Sequence, residues 1–269
     1  MRTDVIYNGD CIQGLKRLPD NSVDIVVTSP PYNIGGSIHH NKNMYNNYDD
    51  NLSDDEYLNF IRECLNELLR VTKYYVFFNF QILSNNKNSY LEILHIFKEN
   101  IKEFFIWAKP NPAPGVQPGL FANGFEFIIC FSKFDVNGRT FKHHYTKQGK
   151  LSNTIIQKTN KDFVDGHFAC FGKWLPKFFV ESFTKENDIV LDPFMGSGTT
   201  AKACYELNRR FIGFELDLEY CEIARKRLKQ KLITGFFGTQ ANSTSSSFNK
   251  DLTGNSDEFP QILPLAELR

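Results

Sequence analysis

The chain has 269 residues, 41% of them hydrophobic, enough for one large domain with a substantial core. Lysine plus arginine and aspartate plus glutamate both number 31, so no global field draws the chain to nucleic acid and any such attraction is local. Six scattered cysteines without a C-x-x-C pair argue for reduced, intracellular thiols and against a disulfide framework or zinc site.

His39-His40 and His143-His144 lack metal-ligand spacing, so no metal is expected. The N-terminus carries no apolar signal core, and no run reaches the roughly 18 apolar residues of a membrane span. A cytoplasmic, membrane-free protein is the expectation.

Taken in chain order, Val5-Ile6-Tyr7 predicts a short strand leading to Asn8-Gly9-Asp10-Cys11 and a helix from Ile12 to Leu18. Val23 to Val27 reads as a buried strand that stops at Thr28-Ser29-Pro30-Pro31-Tyr32. Each proline fixes its own backbone angle and removes a donor, and Pro31 pushes Pro30 towards an extended form. The result is a rigid turn at a sheet edge whose carbonyls outnumber its donors, suited to gripping a flat, nitrogen-bearing group. Taken alone, the segment is more readily explained as an ordinary proline turn.

Residues 33–52 read as a long loop containing Tyr45 and Tyr48, and Ser53-Asp54-Asp55-Glu56 is a capping box before a helix with apolar spacing. Tyr74–Phe80, Phe104–Ala108 and Phe125–Phe131 predict strands, with a helix around Leu91–Phe97. Residues 109–119 carry four prolines and cannot be regular. Between Lys133 and Lys177 nine Lys/Arg face three Asp, a local excess of six positive charges that suits a solvated surface or a phosphate-facing one. The stretch from about 133 to 170 reads as an insertion or small subdomain. Trp174–Phe183 predicts a helix and Ile189-Val190-Leu191 a strand; a helix spans about 199–207, a strand Phe211–Glu215 and a final helix about 218–232. Alternating strands and helices imply an α/β fold, a doubly wound, mostly parallel sheet. Beyond Gly238 the polar composition predicts a disordered tail.

Asp192-Pro193-Phe194-Met195-Gly196-Ser197-Gly198-Thr199-Thr200 joins a strand to a helix, and Glu215 ends the next strand. Glycines permit close backbone approach, a helix start supplies free N–H groups, and an acid placed there can receive ribose hydroxyls. A triphosphate loop would need a lysine that is absent. A dinucleotide is weakly disfavoured because Ala201 replaces the third glycine, and S-adenosylmethionine, with a ribose and no phosphate, also fits.

Together these segments resemble the amino-methylating DNA methyltransferases of restriction–modification systems. Thr28–Tyr32 is similar to the family's S/D-P-P-Y catalytic motif and Asp192–Thr200 to its D-P-F-x-G-S-G-T-T cofactor loop. Phe211–Asp217 is similar to the ribose-binding strand, and Asn8–Cys11 to an element beside the cofactor adenine. The catalytic motif precedes the cofactor loop, the permuted order of the family's beta group, over about residues 4–233. The resemblance implies a Rossmann-like, S-adenosylmethionine-dependent fold over residues 1–237, with about 110–170 as a target-recognition insertion and 238–269 as tail. It implies catalytic roles for Ser29, Pro30, Pro31 and Tyr32. Asp10, Asp192, Phe194, Gly196, Gly198, Thr199 and Glu215 are the implied cofactor residues. A further cofactor motif would fall at His167–Lys173, where Phe168 replaces the expected proline, so Phe171 and Lys173 are only weakly indicated.

An exocyclic amino nitrogen is a poor nucleophile, so the site must align nitrogen, methyl carbon and sulfur and accept the amino hydrogens. Ser29 Oγ and the Pro30 carbonyl are the expected acceptors, with Tyr32 stacking on a base flipped out of double-stranded DNA. The absence of a Pro-Cys dipeptide argues against covalent attack on a ring carbon. By resemblance, Ser at the first motif position favours cytosine N4, whereas Asn33 after Tyr32 is common among adenine-N6 enzymes. Cytosine N4 is the expected target and adenine N6 the alternative. RNA or protein-amide methyl transfer and a nicotinamide-dependent oxidoreductase are more distant readings. A separate companion endonuclease is the implied partner.

Overall fold

A computed structural model describes residues 2–33, 50–83, 86–109, 121–145, 152–156, 172–238 and 261–268, the last helix by its backbone alone beyond residue 229. The expected loop tyrosines Tyr45 and Tyr48, residues 167–171 and most of the proline-rich and basic segments lie outside these residues.

The elements in chain order are β1 (Val5–Asn8), α1 (Cys11–Leu15), β2 (Val23–Thr28), α2 (Asp54–Val71), β3 (Thr72–Asn79), α3 (Lys87–Ile96), β4 (Ile101–Ala108) and β5 (Phe125–Phe131). They continue with β6 (Thr154–Ile156), α4 (Trp174–Phe183), β7 (Ile189–Asp192), α5 (Thr199–Glu206), β8 (Arg210–Glu215), α6 (Leu218–Gly238) and β9 (Gln261–Pro264). Among the described residues the strands form one sheet in the order β6-β4-β5-β3-β2-β7-β8-β1-β9. β5 runs antiparallel to both β3 and β4, and every other pairing is parallel.

Both faces of the sheet are covered. Side chains alternate along a strand, so Val76 and Phe78 of β3 join one core with α1, α2 and α3, while Tyr75 and Phe77 join a second with α4, α5 and α6. In β2 the alternation breaks once. Val23 and Val26 share a face because the register shifts between Val23 and Ile25. At the break, Asp24 receives Lys73 Nζ at 2.9 Å and the Ile189 amide at 2.8 Å, which ties β3 and β7 to β2. The second core is aromatic: Phe77 stacks on Phe179 at 4.3 Å between centroids, with Phe183 at 4.7 Å.

The predicted capping box is present, with Ser53 and Glu56 exchanging hydrogen bonds at the start of α2. α1 is shorter than expected, closing at Leu15, where the Lys16 amide turns back to Ile12 and Gly14. α6 runs on to Gly238.

Two expectations about segments outside the main fold change. The tail was expected to lack order beyond Gly238, yet residues 261–264 pair in parallel with β1. Leu265 and Leu268 bury themselves in the first core, and Arg17 donates to the Leu265 carbonyl at 2.6 Å. The basic stretch does not stand wholly apart either, because β6 extends the sheet beside β4. Residues 135–142 are pinned to the sheet by buried Lys102, which reaches Asp135 at 3.1 Å and the carbonyls of Asn137, Gly138 and Thr140.

The topology fixes where a site can form. β2 and β7 are neighbours, but their chains leave in opposite directions, β2 through α2 to β3 and β7 through α5 to β8. A crevice opens where parallel strands part in this way. The two segments that end there are Thr28–Tyr32 and Asp192–Thr200, separated by 164 residues in sequence and adjacent in the sheet.

Candidate active site

Thr28 is the joint between the two motifs. Its hydroxyl donates to Asp192 Oδ1 at 2.6 Å, and the same oxygen accepts the Phe194 amide at 3.1 Å. Asp192 is 1% exposed, and this burial pushes its carboxyl up to about 6 against the pull of those donors. Asp192 thus holds the proline turn against the glycine-rich loop. Thr199 is also buried and accepts from Arg227 of α6, so it serves the loop's own shape.

The proline turn is held by its carbonyls. Tyr57 of α2 donates to the Pro31 carbonyl at 2.7 Å, and Asn86 donates to the Tyr32 carbonyl at 2.8 Å. Asn33 adopts a left-handed φ of 56° and clasps Leu52 from both ends of its amide, accepting the Leu52 amide at 2.7 Å and donating to its carbonyl at 2.9 Å. Its own amide donates to Asp50 at 2.9 Å. Asn is favoured in that conformation, so Asn33 has a structural task independent of any base.

Ser29 and Tyr32 face a polar cluster on β3 and β5 and just past the end of β4. Ser29 Oγ lies 3.1 Å from Tyr32 Oη, and Tyr32 donates to Glu126 Oε2 at 3.1 Å. Asn79 Nδ2 lies 2.9 Å from both Tyr32 Oη and Glu126 Oε2, and 3.4 Å from Ser29 Oγ. Lys109 closes the cluster by pairing with Glu126 Oε1 while lying 4.8 Å above the Trp107 ring. Asn79 Oδ1 and Gln81 Oε1 are buried acceptors with no partner among the described residues.

Sequence reasoning did not single out Asn79, Lys109 or Glu126. The signal was present in Phe78-Asn79-Phe80 and Phe125-Glu126-Phe127, where one polar residue interrupts an aromatic strand. A polar group placed there is buried and must find partners.

The cofactor loop turns on two glycines. Gly196 (φ 52°) presents its amide to Glu215 Oε2 at 2.7 Å. Gly198 (φ 80°) lets α5 begin against α6, where a Cβ would lie 2.7 Å from Ala224 Cβ. Phe194 packs edge-on against Phe60 of α2 at 5.9 Å.

Glu215 sits at the end of β8. Each carboxylate oxygen takes one backbone amide, Gly196 at 2.7 Å and Asp217 at 2.8 Å. That leaves a lone pair on each oxygen for a further donor, which is the donor demand of two vicinal ribose hydroxyls. Burial raises its carboxyl to about 7, with Asp217 and Asp192 adding repulsion and the two amides opposing. Asp10 reaches the same corner because β1 pairs with β8. Asn8 lies opposite Glu215, the Gly9 amide donates to the Glu215 carbonyl at 2.9 Å, and Asp10 caps α1 by accepting the Gln13 amide at 2.9 Å. The residues therefore fit a nucleoside cofactor. Of the weakly indicated pair, Lys173 forms an ion pair with Glu206 at 3.3 Å.

Among the described residues no His, Cys, Asp or Glu cluster could hold a metal ion, and no helix is long and apolar enough to cross a membrane. The described cysteines, 11, 64, 130, 204 and 221, are free and buried.

Comparison with known proteins agrees with this geometry. Residues 23–226 match a family described as DNA methylase, of the N6/N4 type. The type II methyltransferase M.HinfI of Haemophilus influenzae is 30% identical over 247 residues, covering 84% of this chain and 68% of that protein. The type II methyltransferase M.BglII of Bacillus subtilis is 32% identical over 256 residues, covering 81% and 67%. Among solved structures, the cytosine-N4-specific PvuII DNA methyltransferase superposes with a TM-score of 0.67 at 20% identity, over 91% of this chain and 95% of that one. The M1.HpyAVI–SAM complex gives 0.57 at 26% identity, over 83% and 98%. With both motifs brought together at the strand ends, the chain belongs to the N6/N4 DNA methylase family and is an S-adenosylmethionine-dependent, amino-methylating DNA methyltransferase of the restriction–modification type.

Proposed function

We propose that this methyltransferase modifies the N4 amino group of cytosine at a fixed sequence in double-stranded DNA. When bound, S-adenosylmethionine supplies an electrophilic methyl group on a sulfonium. Glu215 takes the ribose hydroxyls, Asp10 accepts from the adenine amino group, and Phe194, Gly196 and Gly198 line the remainder of the cofactor's bed.

One observation carries the reading: Ser29 Oγ is presented as an acceptor beside the cofactor loop. The only proton of Tyr32 goes to Glu126, so Ser29 must be the donor in its contact with Tyr32. Its lone pairs are then available to an amino hydrogen, with Asn79 approaching only at 3.4 Å. The carbonyls of Pro31 and Tyr32 are occupied, whereas none of the hydrogen bonds found among the described residues uses that of Pro30. Two acceptors, Ser29 Oγ and Pro30 O, would pull the amino hydrogens into a pyramidal arrangement and turn the nitrogen lone pair outward. Tyr32 stacks on the base. A paired base cannot reach this crevice, so it enters flipped out of the duplex.

Ser29 supports cytosine over adenine by its family resemblance. The counter-signal at Asn33 loses its weight, since that residue is committed to Asp50 and Leu52. Residues of about 110–170 would read the sequence, and methylation would protect DNA in the cytoplasm from a separate endonuclease.

The test is Ser29→Ala. Single-turnover methyl transfer to duplex DNA should fall by roughly 10²-fold, the range of a lost transition-state hydrogen bond, while calorimetry finds cofactor affinity unchanged. Equal losses in both, or an unchanged rate, would remove Ser29 from this role.

A further inference from the structure

We infer that Glu126 is the final proton acceptor of the reaction, reached from the methyl-accepting nitrogen through the hydroxyls of Ser29 and Tyr32. The inference rests on the reading that Ser29 Oγ faces the amino group.

The hydrogen positions follow from chemistry. An ionised carboxylate can only accept, so with Glu126 ionised beside Lys109 the Asn79 atom 2.9 Å from it is a nitrogen, and Tyr32 is the donor in its own 3.1 Å contact. Ser29 therefore donates to Tyr32 at 3.1 Å. The line Ser29 to Tyr32 to Glu126 runs in one direction, every donor facing an acceptor. Glu126 is 9% exposed, at the start of an aromatic strand, and Lys109 balances its charge on the other oxygen. A neutral amide would suffice to hold Tyr32 in place. An ionised carboxylate and its lysine are costly to bury, and a proton sink gives them a use.

The balance closes. The nitrogen lone pair forms the new N–C bond, and the broken C–S bond leaves its electron pair on sulfur. The nitrogen then carries one hydrogen too many. That proton passes to Ser29 Oγ, the Ser29 proton to Tyr32 Oη, and the Tyr32 proton to Glu126 Oε2. Each hydroxyl finishes with one proton, as it began, having passed its own on and taken another. The positive charge of the sulfonium and the negative charge of Glu126 vanish together, and the cation left is Lys109, whose side chain is 27% exposed to solvent.

The test compares Glu126→Gln, Glu126→Asp, Tyr32→Phe and the Tyr32→Phe/Glu126→Gln double variant in single-turnover transfer to duplex DNA. Calorimetric cofactor affinity, which should not change appreciably, is measured alongside, with melting temperature to establish that each variant is folded, Glu126→Gln being expected to lower it because Lys109 loses its partner. Glu126→Gln should slow transfer by roughly 10²-fold or more. Its rate should climb roughly tenfold per pH unit on the basic side, where the wild type is flat, because hydroxide must replace the lost acceptor. Glu126→Asp should recover much of the rate. Tyr32→Phe should match Glu126→Gln, and the double variant should lose no more than either, as members of one relay do. A wild-type rate in Glu126→Gln, a loss with unaltered pH dependence, or additive losses would each overturn the relay. If Ser29→Ala is impaired while Glu126→Gln is not, the relay alone fails. If Ser29→Ala keeps the wild-type rate, the reading of Ser29 fails and the relay with it.

Discussion

Replacing Glu215 with glutamine should change the pH dependence of folding in a direction that the burial of this carboxyl dictates. Its pKa rises from 4.5 to about 7 because burial disfavours the charged form. Between those values the folded protein binds a proton that the unfolded chain has released. The associated stability is full below about pH 4.5 and is lost as pH rises through about 7. A shift of this size is worth about 3 kcal/mol at most. Glutamine cannot ionise, so that loss is absent from the variant. The glutamine oxygen can accept only one of the two amides, Gly196 or Asp217, that now share the carboxylate. The other is left unpaired at a cost of roughly 1–3 kcal/mol that does not vary with pH. The diagnostic quantity is therefore the difference in unfolding free energy between variant and wild type, from urea titrations at several pH values. It should climb by about 2–3 kcal/mol in favour of the variant from pH 4.5 to 8. Asp192, also raised, to about 6, is present in both proteins and largely cancels. Cofactor affinity should move the opposite way. The variant should bind S-adenosylmethionine roughly 10²-fold more weakly above pH 7, having lost charge-assisted hydrogen bonds to the ribose. A difference curve flat to within about 0.5 kcal/mol would refute the claim that this carboxyl is strained by burial.

Other substitutions probe the joint and the loop. Thr28→Val keeps the shape of the side chain but removes the donor to buried Asp192, and should destabilise by about 1–3 kcal/mol in chemical denaturation. It should also slow methyl transfer, because the two motifs lose their direct tie; a neutral result would place the tie elsewhere. Gly198→Ala should cost about 2 kcal/mol or more in thermal unfolding, since φ is 80° and the new Cβ would meet Ala224 at 2.7 Å. Wild-type stability in that variant would show that the α5–α6 contact yields easily.

Much of this architecture was legible in residue patterns, and the exceptions have physical causes. Phe125–Phe131 and Trp174–Phe183 match their expected bounds because aromatic runs and helical spacing are local signals. The antiparallel direction of β5 is not local: it depends on which strands flank it, which its residues do not encode. β9 was missed because Gln261-Ile262-Leu263-Pro264 is short and follows a long polar stretch that dominates its neighbourhood. Its stability comes from β1, more than 250 residues away. The two motifs carried the site because their chemistry is packed into contiguous residues. The wall opposite them is assembled from Asn79 of β3, Glu126 of β5 and Lys109 just past the end of β4, so spacing gave no warning of it. The polar residues that interrupt Phe78-Asn79-Phe80 and Phe125-Glu126-Phe127 were the available clues. Asn33 shows the reverse case, a motif neighbour that invites a functional reading and is occupied by the backbone of Leu52.

The most direct measurement is the identity of the methylated base. The purified protein is incubated with methyl-labelled S-adenosylmethionine and unmethylated duplex DNA, the DNA is digested to nucleosides, and the label is located by chromatography and mass spectrometry. Label should appear in N4-methylcytosine and be strongly reduced with Ser29→Ala. Label in N6-methyladenine would contradict the reading of Ser29, and label on a ring carbon would contradict the amino-group grip itself.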